Sequence, residues 1–101
     1  MKNKYCIANW KMNKTSDETI KFLRTFIMKE LDRNGIEIII CPSYPSLFAA
    51  DKIIFNHNIQ LGAQNVSAHE IGAHTGEISA SMLKDSNCNW VIVGHSERRT
   101  I

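Results

Sequence analysis

The chain has 101 residues, 44% of them hydrophobic and 22% charged, with 12 Lys plus Arg against 10 Asp plus Glu. This is ordinary globular composition, which excludes disordered, collagen-like and low-complexity classes. A formal charge of +2 is too slight to direct the chain to nucleic acid or an anionic membrane, and Arg98-Arg99 is the only adjacent cationic pair past the first few residues. Neither is expected as a partner.

Three cysteines, Cys6, Cys41 and Cys88, stand far apart with no CxxC spacing. That excludes a disulfide framework or a zinc ribbon and suits a reducing compartment. The apolar stretch behind the first lysines, Tyr5 to Ala8, is too short for a secretory signal, and no run reaches the roughly 18 apolar residues of a membrane span. A cytoplasmic location is expected.

In chain order, Tyr5 to Asn9 reads as a short strand buried on both faces. Thr15 and Glu18 form a capping-box pattern. Behind it Ile20, Leu23, Ile27 and Leu31 recur at helical spacing, widened by Phe22 and Phe26, until Asn34-Gly35 supplies a stop. The pattern predicts a helix over 16–33. Ile36 to Cys41 is β-branched and nearly all apolar, a second buried strand ended by Pro42. Ser43 to Ile54, with Pro45 in its first turn, reads as a shorter helix.

Ile59 to Gln64 is a weaker third strand, diluted by Gln60 and Gly62. A polar, glycine-containing loop runs from Asn65 to Glu77. Ser79 to Lys84 can form about two helical turns, and Trp90 to Gly94 is a fourth buried strand. Strands alternating with helices imply a parallel sheet with helical crossovers. Strand centres near 7, 38, 61 and 92 recur about every 28 residues, so eight units need about 227, close to the roughly 250 typical of an eightfold βα barrel. The period fits an open doubly wound sheet equally well. Either architecture would be incomplete, because the few residues after Gly94 are too short for a covering helix. The chain therefore reads as a fragment, one incomplete domain over 1–101.

Two segments concentrate chemistry where strands end, which in parallel βα folds is where ligands bind. Asn9-Trp10-Lys11-Met12-Asn13 offers a cation suited to a phosphate or carboxylate. Gly94-His95-Ser96-Glu97-Arg98-Arg99 places an imidazole and a carboxylate behind an apolar strand; such a His can act as acid or electrophile, and a Glu can orient a Lys. His69 and His74 are spaced one residue too widely for a zincin helix, and Gly72 between them opposes a helix, so no metal site is expected. No GxSxG turn, Walker loop or dinucleotide fingerprint is present. A connection as long as 65–77 without regular patterning points to a functional loop.

Those two segments, together with Gly62-Ala63-Gln64-Asn65-Val66-Ser67 and His74-Thr75-Gly76-Glu77-Ile78-Ser79, resemble the triosephosphate isomerase family. Four motifs in order are far more specific than any one of them. The resemblance implies the N-terminal half of a (βα)8 TIM barrel, an α/β fold carrying the first four strands. It implies an isomerase interconverting dihydroxyacetone phosphate and glyceraldehyde 3-phosphate through an enediolate, in glycolysis and gluconeogenesis, with no cofactor and no metal. The resemblance, not the spacing, assigns His95 as the electrophilic imidazole, Lys11 as the positive charge facing substrate, Asn9 as a substrate hydrogen-bond donor and Glu97 as the neighbour of Lys11.

It also implies a homodimer in the full-length form. Thr75 would stand at the tip of a loop inserted into the neighbouring subunit, with Glu77 and Arg98 paired across the interface. The base carboxylate, its lid and the phosphate-binding turns belong to later strands in this family, so the 101-residue chain alone is expected to be inactive. The alternative expectation is a non-catalytic half-barrel assembly module.

Overall fold

The computed structural model describes residues 4–29 and 35–99. Four parallel strands, β1 (Lys4–Asn9), β2 (Ile36–Cys41), β3 (Ile59–Ala63) and β4 (Cys88–Val91), lie in chain order in one sheet. Four helices accompany them: α1 (Ser16–Met28), α2 (Leu47–Ile54), α3 (Ala80–Asp85) and a single turn, α4 (Ser96–Arg99). An unbroken 1-2-3-4 order with helical crossovers is half of a (βα)8 barrel. A doubly wound sheet would reverse its strand order instead.

α1 begins where the capping box predicts. Thr15 accepts from the Glu18 N–H, and the Glu18 carboxylate accepts from the Thr15 N–H. Its inner stripe packs Leu23, Phe26 and Ile27 on the core, while Phe22 stays partly exposed against Trp10. The last described helical residue is Met28; the rest of the expected helix, with Leu31 and the Asn34 stop, lies outside the described residues. The segment from Ser43 divides into a 3-10 turn, Tyr44–Ser46, holding Pro45, followed by α2. Ser79 caps α3 by accepting from the Met82 N–H.

The core lies between the sheet and its helices, with Ile40, Leu47, Ala50, Ile54, Leu61 and Leu83 at its centre. Burial along the strands differs from the sequence expectation. β3, the weakest by composition, is almost wholly buried because it has neighbours on both sides. β1 and β4, expected to be buried on both faces, are largely exposed: Tyr5 is 52%, Ile7 55% and Val91 40% accessible. They occupy the two ends of the sheet, where one flank has no strand.

The fourth strand also starts earlier than Trp90–Gly94. Cys88 pairs with Leu61 and Trp90 with Gly62, with a register shift between Leu61 and Gly62. One further ladder bond, Ile92 N–H to the Ala63 carbonyl, follows the strand before the chain turns at Gly94. A short helix, not expected from the sequence, then forms at Ser96–Arg99.

Gly62 is a demand of packing. A β-carbon there would stand 2.7 Å from Cys41 Sγ and 3.2 Å from Ile39 Cγ2. Only a missing side chain lets β2 and β3 fill that layer.

Candidate functional site

The carboxyl ends of β1, β2 and β3 and the loop after β4 surround an open cleft of about 350 Å³. Asn9 ends β1, and Lys11 follows it in the left-handed region, φ 54°. A non-glycine residue adopts that conformation only when its surroundings impose it. Here they do so from two sides. Asn9 Oδ1 accepts from the Lys11 N–H at 3.0 Å, and Gln64 Nε2 donates to the Lys11 carbonyl at 2.8 Å. Gln64 also donates to the Cys41 carbonyl at 2.9 Å, tying the ends of β1, β2 and β3 together.

The Lys11 side chain, so aimed, reaches Glu97 on α4, with Nζ 3.4 Å from Oε1 and 3.5 Å from Oε2. Both side chains are more than half exposed, so solvent screening leaves the pair worth at most about 1 kcal/mol. The contact sets the Lys11 ammonium and the Glu97 carboxylate side by side at the cleft.

His95, between β4 and α4, is the less exposed member of the group at 28%. Its Nδ1 lies 3.2 Å from the Glu97 N–H and 3.3 Å from Glu97 Oε1. The two contacts ask opposite things of one nitrogen, since an amide N–H needs a lone pair and a carboxylate needs a proton. The amide cannot give up its proton at ordinary pH, so Nδ1 is the acceptor. The carboxylate contact is then a secondary one.

The structure therefore brings five sequence-predicted residues, Asn9, Lys11, His95, Glu97 and Arg98, to one cleft, and leaves Thr75 and Glu77 outside its lining. Arg98 lines the cleft, and its Nη2 stands 3.7 Å from Glu77 Oε1 of the same chain. Thr75 is exposed on the 65–77 loop and is not part of the cleft lining.

Four lining residues, Met12, Tyr44, Gln64 and Asn65, were not singled out by sequence reasoning. Tyr44 donates its hydroxyl to the Asn65 carbonyl, and burial foremost, with Glu77 adding to it, pushes its phenol above the usual range. Met12 projects almost fully into solvent, 96% accessible. Among the described residues no cluster of three or more His, Cys, Asp or Glu could hold a metal, and no helix is long and apolar enough to cross a membrane.

A cation, an imidazole and an amide meet around one cleft at the carboxyl ends of parallel strands, the end at which (βα)8-barrel folds place their sites. The family model for triosephosphate isomerase matches residues 4–101, and the chain belongs to that family. It is 50% identical over 99 residues to the triosephosphate isomerase of Dictyoglomus thermophilum, a match covering 98% of this chain and 40% of that protein. It is 49% identical over 94 residues to the Aquifex aeolicus enzyme, covering 93% and 38%. The crystal structure of triosephosphate isomerase from Bartonella henselae superposes with a TM-score of 0.87 at 38% identity, over 98% of this chain and 40% of that one. The chain thus spans about 40% of the length of these relatives.

Proposed function

We propose that this chain supplies the substrate-orienting half of a triosephosphate isomerase active site, for the interconversion of dihydroxyacetone phosphate and glyceraldehyde 3-phosphate. The observation that carries the reading is the convergence of Lys11 and His95 on Glu97 at one cleft. In this reading Lys11 offers positive charge to the phosphorylated substrate, and Asn9 donates a hydrogen bond to a substrate oxygen. His95 presents its Nε2 proton to the carbonyl oxygen as the α-proton leaves and the enediolate forms. Glu97 acts on Lys11 and on His95, positioning both.

The α-proton needs a base within hydrogen-bond reach, which in this family comes from a later strand together with the phosphate-binding turns. General-base assistance is worth about 10²- to 10⁴-fold, so the 101-residue chain by itself has no significant turnover. The working form is a cytoplasmic homodimer using neither metal nor organic cofactor, with Thr75, Glu77 and Arg98 near the subunit contact. A second reading, a half-barrel assembly module without catalysis, draws on the exposed apolar ends of the sheet, Tyr5 and Ile7 on β1 and Val91 on β4.

A chimera separates the two. This chain is joined to the part of the Dictyoglomus thermophilum enzyme beyond the match. Isomerase activity near that of the relative supports the catalytic reading. A folded but inactive chimera contradicts it, and turnover by the 101-residue chain alone would contradict the missing base.

A further inference from the structure

The loop between β1 and α1 carries two lysines, and the fold sends them to different places. Lys11 reaches Glu97 at the cleft, whereas Lys14 lies over the rings of Trp10 and Phe22, its Nζ 5.7 Å and 5.0 Å from their centroids. The rings form one block. Trp10 meets Phe22 edge-on at 5.4 Å, and Phe22 stacks on Phe26 at 6.0 Å. Trp10 and Phe26 pack against the buried core, so the block is fixed in place. An ammonium within about 6 Å of two aromatic faces is attracted by both.

Two local costs oppose this placement. Lys14 adopts φ 68°, the left-handed region that a residue with a β-carbon avoids. It also sets a cation directly before the Thr15 cap of α1, where the helix dipole disfavours positive charge. The two rings, with Asp17 and Glu18 in the first helical turn, offset them.

The contact lies one residue from Lys11. Trp10 directly precedes it; the Trp10 N–H donates to the Cys41 carbonyl at 3.1 Å, and the Trp10 carbonyl accepts from Asn13 Nδ2 at 2.8 Å. The 10–14 turn is thus closed at its base by Asn13 and tied to α1 by the Lys14 ammonium on Phe22. Lys14 itself is not among the residues that line the cleft.

We propose that Lys14 is a positioning residue for Lys11: held over Trp10 and Phe22, its ammonium locks the 10–14 turn, so that of the two cations in the loop only Lys11 faces the cleft. The role rests on the catalytic reading of that cleft and is exerted through Lys11.

The test is steady-state kinetics of the chimera and of its Lys14→Met, Lys14→Arg, Lys14→Gly and Phe22→Leu variants, with urea midpoints alongside. Lys14→Met keeps the stem and loses the charge. It is expected to raise KM, and with it the inhibition constant of inorganic phosphate, about three- to tenfold, while kcat stays within about twofold. Lys14→Arg keeps a cation for the rings and restores both constants. Phe22→Leu also raises KM, and Lys14→Met added to it raises KM by less than it does alone, because the two act as a unit. Lys14→Gly separates charge from strain: glycine suits φ 68° but has no ammonium, so KM rises as in Lys14→Met although the turn is relaxed.

An unchanged KM in Lys14→Met, a Lys14→Gly variant with the KM of the unsubstituted chimera, or a fall in kcat and urea midpoint with KM unchanged, the mark of a merely structural lysine, would each overturn the proposal. An inactive chimera overturns the catalytic reading, and this role with it, a failure distinct from those three.

Discussion

Gln64 holds Lys11 by its backbone: the amide of the residue after β3 donates to the carbonyl of a lysine more than fifty positions earlier, at 2.8 Å. The same Nε2 reaches the Cys41 carbonyl, so one side chain spans three strand ends. Lys11 stands in a left-handed conformation that most residues avoid, and this bond together with Asn9 offsets its strain.

Gln64→Glu is nearly isosteric but leaves no N–H to donate, and it turns a carboxylate toward two carbonyl oxygens. In the chimera a loss of about 1–3 kcal/mol in urea unfolding is expected, with a raised KM as the Lys11 ammonium loses its aim. Unchanged stability and KM would show that Asn9 alone suffices to hold the turn.

Gly62→Ala inserts a methyl group 2.7 Å from Cys41 Sγ. Overpacking of that kind costs about 1–3 kcal/mol. Cys41→Ala removes the sulfur that the methyl meets, so the double variant should lose less than the two single losses added together. Strict additivity in denaturant midpoints would mean that the backbone, and not the sulfur, sets the limit.

The α1 capping box makes stability depend on acid. The Thr15 N–H, and after it the Thr15 hydroxyl, holds the Glu18 carboxyl below its ordinary value of 4.5. A carboxyl with a lowered folded-state pKa stabilises fully above its unfolded value and loses that contribution as pH falls through the lowered one. Stability should therefore decline below about pH 4.5 through this group. Glu18→Gln should flatten that part of the profile, and a profile unaffected by the substitution would remove the box as its cause. Thr15→Ala should cost about 1 kcal/mol at neutral pH.

The three cysteines should label in order. Cys6 is exposed, whereas Cys41 and Cys88 are buried and burial pushes both thiols up, Cys88 to about 11. A raised thiol has little thiolate to react. Iodoacetamide at pH 8, followed by mass spectrometry, should modify Cys6 well before the others. Equal rates at all three would contradict the packing of the β2–β3–β4 layer.

Local signals in the sequence carried α1, because a capping box and an apolar stripe act within a few residues. The strand order and the grouping of Asn9, Lys11, His95 and Glu97 follow from the family resemblance that four motifs carry together, whereas the strand period alone leaves a doubly wound sheet open. Burial was not, since an apolar run such as Tyr5–Ala8 looks the same at a sheet's centre and at its end. The start of β4 was missed because the polar Asn87 and Asn89 flank Cys88 and interrupt the apolar run of Trp90 to Val93, and the ladder is set by Leu61 and Gly62. Gly62 looked like a weakness in β3, and only the position of Cys41 Sγ explains it. Gln64 and Tyr44 act through backbone carbonyls of distant segments, a relationship no local pattern encodes.

The most direct measurement is kcat/KM for triose phosphate isomerisation by the chimera, beside its His95→Gln and Lys11→Met variants. Activity near that of the relative, falling by two or more orders of magnitude in each variant while both stay folded, is the predicted result. Variants that keep the activity of the unsubstituted chimera would contradict the assignment of these two residues.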